Sequence, residues 1–228
     1  ATAPPTDGGL KRVSEGIDNN ENSTDFTAVT KANIYLRNSS SVCIASNYTL
    51  PSASYSADVV VSGTSPEVTL SGNTTISGKL TIASGSLNVG ASQNLTVTGT
   101  LTNNGTLNLK SSASGTATLI HSTENVAATV EQNYMGAYRT WYMSSPVANA
   151  QPAGMNRIKY YDETNNTWPT LFDARTESAV PYNSNVFEKA RGYQVVPDND
   201  DAEIEFAGQL NTGNISIALT RSGTNVAK

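Results

Sequence analysis

The chain of 228 residues has one cysteine, Cys43, and one histidine, His121. A single cysteine cannot close an intrachain disulfide. One of each cannot build a Cys/His zinc site within one chain. Charge is also scarce: Asp, Glu, Lys and Arg make up 14% of residues, against about a quarter in ordinary globular domains. Glu, Lys and Arg are good helix formers, so their shortage argues against a helical fold. There is no basic block, and a net charge of −5 with a pI of about 4.9 leaves no electrostatic basis for binding nucleic acid or an anionic membrane surface. No apolar run reaches the ~18 residues of a spanning helix, so membrane insertion is not expected. The opening "ATAPPTDGG" shows no signal-peptide pattern and reads as the start of a mature form or an excised fragment.

Ser, Thr, Asn and Gly fill the place of the missing charge. Residues 1–31 read as a linker or the tail of a preceding domain, with Pro, Gly and acidic residues and few apolar anchors. "ANIYLR", "VCIAS" and "ADVVVSG" follow as strand candidates. From Val68 a repeat appears, in three-residue units with Thr or Asn in the middle. The middle positions are Thr69, Thr75, Thr81, Asn88, Thr96, Thr102, Asn108 and Thr118, at spacings of 6, 6, 7, 8, 6, 6 and 10. In a strand the outer two side chains of each unit share one face. Leu80/Ile82, Leu87/Val89, Leu95/Val97 and Leu107/Leu109 are therefore expected inside, with Thr and Asn facing water. Three units per turn give intervals of 19 to 21 residues, which suits a three-faced parallel β-solenoid with glycines at its corners. A plain antiparallel meander, turning at "TG" and "NNG", is the competing arrangement.

Beyond Ile120 the texture changes and most of the aromatic residues appear. "RIKYYDETNNTWPTLFDA" and "RGYQVVPDNDDAEIEFAGQL" read as hairpins. The expected organisation is all-β: a tail at 1–31, a solenoid with an N-terminal cap at 32–128, and a β-sandwich-like domain at 129–228. "GNISIALTRSG", Gly213 to Gly223, reads as a strand lacking its partner, so the second domain is expected to be incomplete.

Chemistry-bearing candidates are few. His121 has no Gly-x-Ser-x-Gly elbow to serve and reads as a surface or end-cap residue. Cys43 reads as a buried small apolar residue. Asp198, Asp200, Asp201 and Glu203 in "PDNDDAEIE" could give hard oxygens to calcium, but without EF-hand spacing a solvated hairpin turn is simpler. Asp18, Glu21 and Asp25 raise the same question. Asp162 with Glu163, and Glu203 with Glu205, are carboxylate pairs by sequence only. Trp141, Tyr142, Trp168 and Tyr182 are candidates for a sugar-stacking platform, or else the core of a small sandwich. The eight Asn-x-Ser/Thr sequons are expected by chance in so Asn- and Thr-rich a chain.

"GTLTNNGTLNLKSSASGTATLI" followed by "ATVEQNYMGAYRTWYMSSPV" and "KARGYQVVPDNDDAEIEFAGQLNTGNISIALT" resembles a module of large secreted and surface proteins of Bacteroidota, over about residues 66–220. "DGGLKRVSEGIDNNENSTDFTAV" is similar to the closing strands of lamin-tail-like domains. The resemblance implies type IX secretion and a modular protein that is secreted or displayed at the cell surface; it carries no catalytic residues. The expected function is a non-catalytic structural or adhesive module: a stalk, spacer or assembly segment. Its partners would be proteins or glycans at the cell surface, or copies of itself through open strand edges. The alternative is a carbohydrate-binding module of a secreted polysaccharide-degrading enzyme. A β-helical lyase or hydrolase fits poorly, because residues 66–120 hold only Glu67, Lys79 and Lys110 as charges. No cofactor is expected apart from the calcium question.

Overall fold

The computed structural model describes residues 8–12, 26–30, 35–38, 41–134, 139–150, 154–174, 187–198 and 202–217. Every regular element among them is a strand, and no helix is long and apolar enough to cross a membrane. The parallel coils form a β-solenoid of about four turns, accompanied by an antiparallel sheet toward the C-terminal end. The chain divides into two compact units, 1–88 with 96–106 and 89–95 with 107–228.

In the first unit β1 (Gly8–Arg12) and β2 (Phe26–Thr30) pair antiparallel, so the stretch read as a linker contains two strands. β3 (Tyr35–Asn38) lies antiparallel on β4 (Ser41–Ile44) and covers an edge of the first face. Then the coils begin. β4, β5 (Tyr48–Leu50) and β6 (Ser54–Tyr55) make one turn. β7 (Asp58–Val61), β8 (Glu67–Leu70) and β9 (Thr74–Ile76) make the next. β10 (Leu80–Ile82), β11 (Ser86–Val89) and β12 (Asn94–Val97) make the third, and β13 (Leu101–Asn103) opens the fourth.

Parallel registers stack like on like. Val42, Val59, Leu80 and Leu101 form one inward row, and Ile44, Val61 and Ile82 another. Leu50 sits on Leu70, Val68 on Leu87, and Tyr55 on Ile76. All four predicted inward pairs are buried, from Leu80 to Leu109. A meander is excluded by these parallel ladders. Removing each such side chain from water contributes about 1.5–3 kcal/mol, and stacking in register lets a three-residue strand bury two of them. The corners need glycine for close approach more than for unusual φ. A Cβ at Gly78 would lie 2.6 Å from the Ala57 carbonyl, and one at Gly99 would collide with the carbonyl of Gly78.

The second unit repeats the coil bonding: the N–H of Lys110 donates to Val89 O at 2.9 Å and that of Thr118 to Gln93 O at 2.9 Å. β14 (Thr106–Leu109) precedes a small hairpin, β15 (Ser111–Ser112) with β16 (Gly115–Thr116). β17 (Thr118–Ile120) breaks the pattern, since Ile120 is exposed. β18 (Ala127–Tyr134) pairs parallel with β14 and antiparallel, over eight residues, with β23 (Ala202–Gln209). Here the solenoid ladder passes into antiparallel sheet. β19 (Trp141–Met143), β20 (Met155–Tyr160), β21 (Thr170–Asp173) and β22 (Tyr193–Pro197) form a separate antiparallel sheet in the order β19-β22-β20-β21. Phe187 joins the two layers, with its ring centroid 4.6 Å from Tyr193 and 5.8 Å from Phe206.

Three sequence expectations are corrected. "RIKYYDETNNTWPTLFDA" is a hairpin, β20 with β21, but "RGYQVVPDNDDAEIEFAGQL" is not. β22 pairs with β19 and β20, while β23 crosses to β18, because Ile204 and Phe206 fill the core opposite Gln132 and Val130. Cys43 is half-exposed rather than buried, because Val42 and Ile44 take the inward positions on either side of it. The described part of the strand expected at 213–223, residues 213–217, joins no sheet, and Ile215 and Ile217 are exposed; the rest lies outside the described residues.

Candidate functional site

The β20–β21 connection builds one side of the site. Asp162 opens it and accepts hydrogen bonds from the N–H groups of Thr164 (3.0 Å) and Asn165 (3.3 Å) and from Asn165 Nδ2 (2.8 Å). These bonds, the Asn165 side chain first, hold the Asp162 carboxyl below its ordinary pKa. Asp162 and Thr167 also exchange backbone bonds at 2.9 and 3.1 Å. A short polar loop is thus fixed by its own side chains, with Asn166 at φ +52°. Its two flanking aromatic residues, Tyr161 and Trp168, are brought together, centroids 5.2 Å apart. The Tyr161 hydroxyl donates to Asn166 Oδ1 at 2.9 Å.

Tyr142, the middle residue of β19, completes the group. Its ring centroid lies 6.2 Å from that of Trp168, and its hydroxyl accepts a 3.4 Å bond from Gln194 Nε2. Tyr142, Tyr161 and Trp168 are 72%, 43% and 42% exposed. Three adjoining rings held open to water, rimmed by amide and carboxylate groups, can stack an apolar face while bonding a polar edge. Alternation along β19 sends Trp141 to the other, half-buried side, which corrects its expected place on the platform. Tyr182 lies outside the described residues. Tyr161 was missed by sequence reasoning; its signal was its position just before the loop in "KYYDETNNTW".

A second cluster surrounds Glu131 on β18. The residue is 3% exposed and its Oε1 is in direct contact with Lys110 Nζ. The N–H of Ser111 donates to Glu131 Oε2 at 3.2 Å, and the Ser111 hydroxyl accepts from the Asn133 N–H at 3.0 Å. Across the β18–β23 pair Glu131 faces Glu205, and Asn133 faces Glu203. One carboxylate oxygen from each of Glu131, Glu203 and Glu205 lies within 4.8 Å of the other two. A hydrogen bond with Glu131, and then desolvation, raises the pKa of Glu203. The hydrogen bond with Glu131 likewise raises that of Lys110.

Two of the four calcium candidates, Asp198 and Glu203, fall among the described residues. Glu203 belongs with Glu131 and Glu205, where the Lys110 ammonium supplies the positive charge; Asp198 is exposed at the end of β22, and Asp200 and Asp201 lie outside the described residues. His121 is half-buried, its Nδ1 buried without a hydrogen-bond partner, and desolvation lowers its pKa. An open depression of about 360 Å³ on the solenoid is lined by Asn47, Tyr48, Thr49, Glu67 and Thr69. Its polar groups are engaged with one another: Asn47 Oδ1 accepts from the Glu67 N–H, and Asn88 Nδ2 donates to Glu67 Oε1. The chain matches no protein-family model, no curated protein and no solved structure.

Proposed function

We propose that the protein is a non-catalytic extracellular adhesive module, with the solenoid as a rigid spacer and the rings of Tyr142, Tyr161 and Trp168 as a glycan-binding platform. The single observation that supports the reading is the exposure of these three adjoining rings. Buried aromatics would have argued for a spacer alone. A pyranose offers an apolar C–H face and a rim of hydroxyls. The platform offers ring faces with Asn165, Asn166, Asp162 and Gln194 around them. Binding of this kind draws little on charge, which suits a chain so poor in it.

A glycan array followed by calorimetry on the retained saccharide tests the reading. Tyr142→Ala with Trp168→Ala should weaken binding at least about tenfold, the 1.4 kcal/mol typical of losing a ring contact, with little change in melting temperature. Retention of no glycan, or unchanged affinity in the double variant, would return the protein to a purely structural role.

A further inference from the structure

The groups around Glu131 carry chemistry that the platform does not use. We propose that Lys110 and Glu131 form a modification site, at which an amide bond between Lys110 Nζ and Glu131 Cδ staples the end of β14 to β18. The parts of an acyl-transfer site are in place. The nitrogen is against the carboxyl group. The N–H of Ser111 points at Oε2, where negative charge develops when the carbonyl carbon is attacked. Glu203 shares a hydrogen bond with Glu131 and, with its raised pKa, is the group suited to hold and return a proton. Glu131 itself is 3% exposed, which shields its carboxyl carbon, while the Lys110 side chain and Glu203 stay open to water.

The reaction balances without any co-reactant. Lys110 passes one proton to Glu131, leaving an amine and a carboxylic acid. The Nζ lone pair attacks Cδ, the C–N bond forms, and the C=O π electrons move onto Oε2. Glu203 protonates the Oε1 hydroxyl, the C–O bond breaks and water leaves. The remaining excess proton on nitrogen returns to Glu203. Overall, ammonium and carboxylate become amide and water. The raised pKa of Lys110 favours the ion pair, so the step is slow. It needs to occur only once per molecule, and held reactants reach effective concentrations of about 10⁵ M or more. The staple would give the chain a covalent closure that its single cysteine cannot provide.

The test is the intact mass of the purified full chain, fresh and after prolonged incubation. The expected result is a mass one water below that of the sequence, with tryptic digestion yielding a branched peptide that joins the Lys110 and Glu131 segments. Lys110→Arg keeps the charge and should restore the full mass; Glu203→Gln should slow the loss. A full, unmodified mass after incubation overturns the proposal. So does a water loss that persists in Lys110→Arg, which would be dehydration at another residue. If Lys110→Arg does not fold, the presence or absence of the branched peptide in the unsubstituted chain decides alone.

Discussion

Leu107 and Thr96 show what one position in a three-residue strand decides. Leu107 is fully buried, whereas Thr96 is half-exposed between neighbouring coils. Leu107→Asp places a carboxylate among Leu and Val side chains and should cost roughly 3–5 kcal/mol. Thr96→Asp should stay within about 0.5 kcal/mol. Equal shifts in the urea midpoints of the two variants would contradict the inward register. Glycine divides the same way: Gly99→Ala drives a methyl into the Gly78 carbonyl, while at Gly192 nothing lies within 4 Å. His121 provides a pH readout. Its folded pKa lies below the ordinary 6.5 because of desolvation, so below pH 6.5 the unfolded chain takes up the proton first. The contribution is present above that pH and is lost as pH falls toward the folded pKa. Stability curves of the unsubstituted chain and His121→Asn should converge in slope above pH 6.5 and diverge below it. Parallel curves throughout would mean that the imidazole is not desolvated.

Elements were legible where their pattern is local. The inward alternation of "LTI", "LNV", "LTV" and "LNL" and the coil interval of about 20 residues are written along the chain, so the solenoid followed from spacing. Partner choice is not local. β22 and β23 looked like a hairpin because a polar stretch separates them, yet β23 pairs along its whole length with β18. The exposed aromatic group draws on β19 and on both ends of one loop, so neither the place of Tyr161 beside Trp168 nor the turning of Trp141 to the other side of β19 is visible in a local pattern. Lys110 and Glu131 left a trace that went unread: they stand 21 residues apart, one coil interval, so the repeat itself stacks them. The β18–β23 pairing yields its own prediction. Phe206 is fully buried against Phe187, and Phe206→Ala should cost about 3–5 kcal/mol. The measurement is a lower melting temperature with loss of near-ultraviolet dichroism. An unchanged transition would show that this layer does not support the unit.

At the scale of the molecule, a stack of coils is nearly one-dimensional, and each strand is held by the strands directly above and below it. The first face makes the consequence measurable. β10 pairs with β7 on one side and β13 on the other, through bonds such as Val59 N–H to Lys79 O at 2.7 Å and Leu80 N–H to Thr100 O at 2.9 Å. Among the described residues β13 is the last strand of that sheet. Opening a strand with one strand neighbour disrupts one ladder rather than two, so its free energy lies below that of β10. Hydrogen exchange followed by mass spectrometry should therefore find the amides of Leu101–Asn103 less protected than those of Leu80–Ile82. The expected result is faster exchange in β13 than in β10. Equal protection of the two would mean that whatever lies beyond β13 holds its amides as firmly as a strand does, and the ladder count would then not set the local stability of this face.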